Sequence, residues 1–220
     1  MNSSQPTQAA TAVPGSPAAL IHGAAALGVA LTEHDAERLL HLLDELARWN
    51  HRFNLTAIAH RDEMVTHHLL DSLAVHRYLH GVRIADVGTG AGFPGLPLAL
   101  ANPDRRFTLI DANGKKIRFV GHAAHALGLM NVETLQGRVE ALRPQIPFDT
   151  VVARAFAALP ALAAAVAPLC GPDTHVLALK GKWPQAEIDA LPPLWQVESF
   201  PLAVPGLAES RCLIVLRARN

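Results

Sequence analysis

Residues 86–95 read DVGTGAGFPG and follow directly on the apolar run VRIA at 82–85. Four glycines in ten residues, Gly88, Gly90, Gly92 and Gly95, bring bare backbone within reach of a ligand. VRIADV (82–87) reads as a strand and PGLPLALA (94–101) as the start of a helix. A strand, a glycine loop and a helix start make up the nucleotide site of open α/β sheets. Two phosphate readings fail on detail. A phosphate loop needs Gly-Lys-Ser/Thr, which is absent, and Phe93 stands at the third glycine of the dinucleotide pattern. Asp86, two residues before the first glycine, would repel a pyrophosphate and suits a ligand that carries positive charge.

The next strand, RFTLID (106–111), ends in Asp111. A carboxylate there can accept two hydrogen bonds from a ribose diol, and it can also cap the helix that follows. S-adenosylmethionine has an ammonium, a sulfonium and a ribose but no phosphate. The combination of DxGxGxG with a second strand ending in Asp is similar to class I methyltransferases, so S-adenosylmethionine is the expected cofactor.

Around this unit the chain divides in two. Residues 18–80 read as helices. One opens at a capping box of Thr32 with Asp35, runs through Asn50 and carries Leu39, Leu40, Leu43 and Leu46 on one face. A second spans about 62–79. From Val82 short apolar strands alternate with helices. A helix is expected over 113–129, strands over 131–136, 148–154 and 174–181, and an alanine-rich helix within 155–172. WQVESFPLAV and RCLIVLRAR near the end are expected to pair antiparallel. Repeated βα units with continuous apolar strands predict an α/β fold, Rossmann-like, with a mostly parallel sheet. The expected organisation is a tail over 1–17, a helical cap over 18–80 and a core over 81–220.

Bulk properties narrow the classes further. With 50% apolar and 17% charged residues, the chain suits a packed core and not a disordered protein. The first 17 residues carry no Lys or Arg and no apolar core segment, so they fit no signal peptide. Pro160 and Pro168 interrupt the apolar stretch 155–172, which argues for a buried helix over a membrane span. Cys170 and Cys212 lack disulfide or metal spacing, and the twelve histidines form no ligand motif. A reduced, cytoplasmic, metal-free monomer is expected. Net charge is zero, but residues 113–182 hold eight Lys or Arg against four acids, which permits a basic face.

The remaining motifs resemble the bacterial small-subunit ribosomal RNA methyltransferase G family, also called glucose-inhibited division protein B. The residues that carry the resemblance are NLTAI (54–58), HLLDSLAV (68–75), DVGTGAGFPGLPLA (86–99), NGKKIRF (113–119), FDTVVARAFA (148–157) and LALKG (177–181). They cover roughly residues 50–185. The resemblance implies methyl transfer from S-adenosylmethionine to N7 of one guanine in 16S rRNA of the small subunit. It places the cofactor at Asp86, Gly88, Gly90, Phe93, Asp111, Val139, Glu140 and Arg154, with Glu140 also readable as a helix-start acid. RNA contacts are expected from His68, Lys115, Lys116, Lys180 and Lys182. Guanine N7 offers a free lone pair, so catalysis rests on in-line positioning. Arg154 and Lys180 are the candidates beside the reacting atoms. His68 and Asp71, three apart on a helix, share a face and are expected either to lock the cap to the core or to place RNA. Two departures stand out: His67 replaces a usual arginine, and Ala112 replaces a small polar residue. The alternatives are a methyltransferase for a small molecule or protein, and a non-catalytic RNA-binding assembly factor.

Overall fold

The computed structural model describes residues 15–219. Most of the expected tail, residues 1–14, lies outside the described residues. Its last residue, Pro17, is the first of a helix that Ser16 caps. Ser16 Oγ accepts from the Ala19 amide at 3.2 Å and Pro17 opens α1 (Pro17–Ala26). Proline suits that position because the amide it lacks would have no helical partner.

The capping box forms as read. Thr32 Oγ1 accepts from the Asp35 amide and Asp35 Oδ2 from the Thr32 amide, both at 3.1 Å. Together they open α2 (Glu33–Phe53), whose Leu39, Leu42, Leu43 and Leu46 are wholly buried. Asn54, in the left-handed region at φ 50°, ends it. The segment expected as one helix over 62–79 differs. It runs as α3 (Arg61–Met64), a π-helical turn (Val65–Leu70) and α4 (Asp71–Leu73), followed by a short 3-10 turn at His76–Tyr78. The wider π turn changes which side chains face each other, and the site depends on that.

The βα series then begins: β1 (Arg83–Val87), α5 (Gly95–Ala101), β2 (Arg106–Asp111), α6 (Gly114–Ala126), β3 (Val132–Gln136), β4 (Phe148–Arg154) and α7 (Leu159–Val166). After these come β5 (Cys170–Lys180), α8 (Gln185–Asp189), β6 (Trp195–Leu202) and β7 (Arg211–Ala218). The alanine-rich helix is shorter than its composition suggests. Pro160 sits in its first turn, while Pro168 falls in a 3-10 turn that closes it, so β5 already starts at Cys170. The sheet order is β3-β2-β1-β4-β5-β7-β6. Strands β1 to β5 pair in parallel, and β7 lies antiparallel between β5 and β6.

Alternation along the strands divides the core between two faces. Val151 packs on one side with Leu162, Val166 and Ile214, and its neighbour Val152 on the other with Leu98, Phe107 and Phe119. The N-terminal helices cover the second face. Strand order reverses between β1 and β4. In an open parallel sheet that is where the loops separate and leave a crevice beyond the carboxyl ends of the strands.

Candidate functional site

The glycine loop leaves β1 into this crevice. Gly90 has φ 61°, and a Cβ built there would meet only the Gly88 carbonyl, at 3.9 Å. The space over Gly90 is therefore open. Gly88, at φ 66°, is crowded instead, because a Cβ would lie 2.6 Å from the Phe156 ring. One glycine is needed by the space outside the chain, the other by the chain itself.

Asp86 does not face the crevice. It is 1% exposed, and its Oδ2 accepts from Thr89 Oγ1 at 2.6 Å and the Gly95 amide at 2.9 Å. Burial pushes its pKa up to about 6, against the pull of those two hydrogen bonds. Asp86 Oδ2 therefore fastens both ends of the loop, while its buried Oδ1 has no hydrogen-bond partner among the described residues. Asp111 holds the middle: Oδ2 accepts from the Gly90 amide at 3.0 Å and Oδ1 from the Asn113 amide at 2.8 Å. Asn113, not Asp111, supplies the helix cap, since its Oδ1 takes the Lys115 amide at 2.9 Å.

Two clefts open along the carboxyl edge. The smaller, about 240 Å³, gathers Gly88, Asp111, Val139, Glu140 and Phe156. The larger, about 430 Å³, gathers His67, His68, Asp71, Arg154, Lys180 and Arg211 beneath Ile58 and Leu179. Between them the backbone passes through Ala155 in the left-handed region at φ 51°, which a side chain rarely adopts. The largest hollow, about 750 Å³, lies at the opposite end, along the first residues of β1 to β4. It contains none of the loop and is no part of this site.

The larger cleft is built around Asp71, 3% exposed. Arg154 Nη1 donates to its Oδ2 at 3.0 Å and Arg211 Nε to its Oδ1 at 3.1 Å. Asp71 thus ties the helical segment to the ends of β4 and β7. It does not pair with His68, despite their spacing, because the π turn sends the imidazole elsewhere. His68 Nε2 lies 3.0 Å from Thr56 Oγ1, and its ring stacks on Phe93 at 4.7 Å between centroids. Burial, then the charges of Arg154 and His67, lowers the His68 pKa to about 4, although the nearby His67 carbonyl opposes this. Arg154 also lies over Phe93, with its guanidinium carbon 5.7 Å from the ring centroid. Lys180 is committed to Glu187 at 2.7 Å and the Ala157 carbonyl at 2.8 Å.

The expected residues thus fall into three places. Gly88, Asp111, Val139 and Glu140 share the smaller cleft; His68, Arg154 and Lys180 share the larger, with Phe93 between His68 and Arg154. Lys115 stands apart, bordering a shallow hollow with Asn113 and Arg118, Lys116 lies 4.0 Å from Asp111, and Lys182 is exposed. Reading the sequence missed Arg211 and Glu187. Arg211 lies 140 positions from Asp71 in the chain, and Glu187 sits on a five-residue helix that no periodicity marks.

Comparison with known proteins bears on this geometry. The profile of the GidB family, described as rRNA small subunit methyltransferase G, matches residues 35–214. The chain belongs to that family. This GidB-family protein is 46% identical over 195 residues to Ribosomal RNA small subunit methyltransferase G of Nitrosococcus oceani, covering 88% of this chain and 91% of the relative. It is 43% identical over 194 residues to the protein of that name from Escherichia coli K12, covering 88% and 94%. Solved structures share the fold at low identity. TomG, an O-methyltransferase of Streptomyces achromogenes in complex with SAM, aligns with TM-score 0.56 at 17% identity over 91% of this chain and 96% of that one. A putative O-methyltransferase from Klebsiella pneumoniae aligns with TM-score 0.56 at 15% identity over 81% and 90%.

Proposed function

We propose that this GidB-family protein transfers a methyl group from S-adenosylmethionine to N7 of one guanine in the 16S rRNA of the small ribosomal subunit. The carrying observation is the open side of Gly90, with the Asp111 carboxylate held beneath it, beside a separate cleft rich in committed cations. S-adenosylmethionine fits the first part. Asp111 and Glu140 supply acceptors for hydroxyl and amine groups, Val139 and Phe156 supply apolar walls, and Gly90 leaves the approach clear. When bound, it supplies an electrophilic methyl on a sulfonium.

The chain's own contribution is to position the acceptor. Guanine N7 presents an in-plane lone pair at neutral pH, so no base has to expose it, and alignment supplies the rate. Positive charge accumulates on the purine during transfer, so a bare cation beside the ring would oppose the reaction. In the larger cleft Arg154 is bound to Asp71, Lys180 to Glu187, and His68 is held neutral by burial. These donors have their charge matched or removed, and the one surplus charge around the cleft belongs to Arg211, which shares Asp71 with Arg154. Neither cysteine is suited to nucleophilic attack, and burial pushes the Cys170 thiol up to about 12. Residues 18–80 act as a cap that closes this cleft over the core. Among the described residues no helix is long and apolar enough to cross a membrane. Action as a cytoplasmic monomer on small subunits completes the reading.

The test is tritiated-methyl transfer to small subunits from a strain lacking the protein, followed by nucleoside analysis. Label recovered as 7-methylguanosine is the expected outcome. Label absent from RNA, or on another atom, overturns the assignment.

A further inference from the structure

Arg211 enters the larger cleft from β7, the strand the cofactor loop never meets. Its Nε is fixed on Asp71 at 3.1 Å and its Nη1 on the Ser210 carbonyl at 2.9 Å. Arg154 faces it across the same carboxylate, its Nη1 shared between Asp71 and the His67 carbonyl at 2.8 Å. Each guanidinium therefore has one edge spent on the protein, while neither Nη2 has a protein acceptor among the described residues. Both side chains keep about a fifth of their surface exposed, 21% for Arg154 and 20% for Arg211. The carboxylate between them is almost wholly buried. Two planar forks aimed by one buried anion form a preorganised pair of donors. Of the five charged groups lining or backing the cleft, Arg154, Arg211 and Lys180 exceed Asp71 and Glu187 by one positive charge.

We propose that Arg211 and Arg154, held apart by Asp71, form a seat for one phosphodiester of the RNA next to the nucleotide being methylated. The chemistry favours a phosphate over the base itself. A purine becoming cationic gains nothing from a surplus positive charge, whereas a phosphodiester carries one negative charge and presents two oxygens to two forks. The seat gives the neutral chain a local grip on RNA, and it lies beside His68 and Phe93 without occupying the Gly90 side. Asp71 is then a positioning residue, acting through the two arginines. The proposal rests on the rRNA reading above.

Binding to small subunits across a salt series tests it, using wild type, Arg211→Gln and Arg211→Lys in the full chain. One phosphate contact contributes roughly one unit to the slope of log affinity against log salt. Arg211→Gln is expected to weaken binding about tenfold at low salt and to flatten the slope by roughly one. S-adenosylmethionine affinity should stay within about twofold, a shift of under half a kcal/mol. Arg211→Lys keeps the charge but loses the fork, so it should retain the slope with lower affinity. If Arg211→Gln does not fold, the lysine variant decides: lower affinity at unchanged slope supports the seat, and unchanged affinity overturns it. Loss of S-adenosylmethionine affinity with RNA binding intact also overturns it, because the forks would then hold the cofactor's carboxylate. Methyl transfer by wild type in parallel separates the two claims. No transfer to small subunits sinks the rRNA reading, while an active Arg211→Gln with normal RNA binding sinks the seat alone.

Discussion

Two arginine-lined hollows sit at opposite ends of the same strands, and they use their arginines differently. At the amino ends Arg38 gives Nε to the Leu127 carbonyl at 2.9 Å, and Arg83 gives Nη2 to the Ile146 carbonyl at 3.1 Å while lying over Phe148. These guanidiniums close backbone ends and brace a loop. At the carboxyl ends Arg154 and Arg211 share the buried carboxylate of Asp71. The larger hollow, at the amino ends, is therefore the structural one. Neither size nor arginine content distinguishes a site; a buried anion that aims its cations does.

Removing that anion should produce the largest effect. Asp71→Ala leaves two facing guanidiniums without their common partner, and each is still about a fifth exposed, so water screens part of the repulsion. A loss of about 2–3 kcal/mol of stability is expected, with methyl transfer falling further than the unfolded fraction accounts for. Denaturant melts beside transfer rates check this. If activity simply tracks the folded fraction, the carboxyl-end cluster is no different in kind from the arginines at the other end.

The next effect belongs to the pair of buried titratable groups that flank the cofactor loop. His68 has its folded pKa lowered to about 4 from the ordinary 6.5. Between those values the unfolded chain binds a proton that the folded chain refuses, so its contribution to stability rises with pH across about 4 to 6.5. Asp86 has its folded pKa raised to about 6 from 3.8. There the folded chain holds the extra proton, and stability falls as pH rises from about 4 to 6. The two slopes oppose each other in nearly the same window. Asp86→Asn should therefore steepen the rise of stability from pH 4 to 6, and His68→Gln should flatten or reverse it, each by up to about 2 kcal/mol across the window. Urea melts at half-unit pH steps read the difference. Parallel curves for all three proteins would mean that neither group titrates as its surroundings dictate.

How far the sequence foretold this arrangement depends on the range of each interaction. The strands from β1 to β4 and the terminal β6–β7 pair were legible, because apolar runs between turn residues are local patterns. The loop and Asp111 were legible because glycine spacing and a strand-end acid sit in one βαβ unit. The capping box of Thr32 and Asp35 appeared where expected for the same reason. What stayed hidden is long-range or atypical. A π turn has no periodicity of its own, so the pattern over 62–79 predicts one regular helix with His68 and Asp71 on a shared face. Arg211 could be linked to Asp71 only through the pairing of β7 with β5. The positive excess over residues 113–182 was real as a count, but the fold scatters it. Arg154 and Lys180 share a cleft, whereas Lys115 lies on the outer side of α6 and Lys182 is exposed.

Gly90→Val offers a narrower break. A branched side chain must take φ 61° and would occupy the open space beside Asp111. S-adenosylmethionine affinity should fall at least about tenfold, roughly 1.4 kcal/mol, with the secondary structure retained by circular dichroism. Unchanged affinity by calorimetry would reduce the loop to a turn, and with it the claim that ligands gather at the carboxyl end.

The smallest expected effects sharpen the comparison of the two ends. Arg83→Ala removes contacts to two carbonyls and to the Phe148 ring at the amino edge. It should cost at most about 1 kcal/mol of stability, with methyl transfer and its salt dependence unchanged. Lys115→Ala with Lys116→Ala removes two cations at the start of α6, one of them 4.0 Å from Asp111. That pair should leave stability alone and lower the salt slope of small-subunit binding by between one and two units, because α6 opens on the edge where RNA must approach. Arg83→Ala removes one positive charge and the lysine pair two, so charge count alone predicts half the slope change for Arg83→Ala. A position-dependent result, with slope lost only at the carboxyl edge, follows from one-sided RNA binding. If Arg83→Ala lowers the slope by half as much as the lysine pair does, RNA reaches both ends of the sheet. The 750 Å³ hollow would then have to be counted as part of the substrate surface.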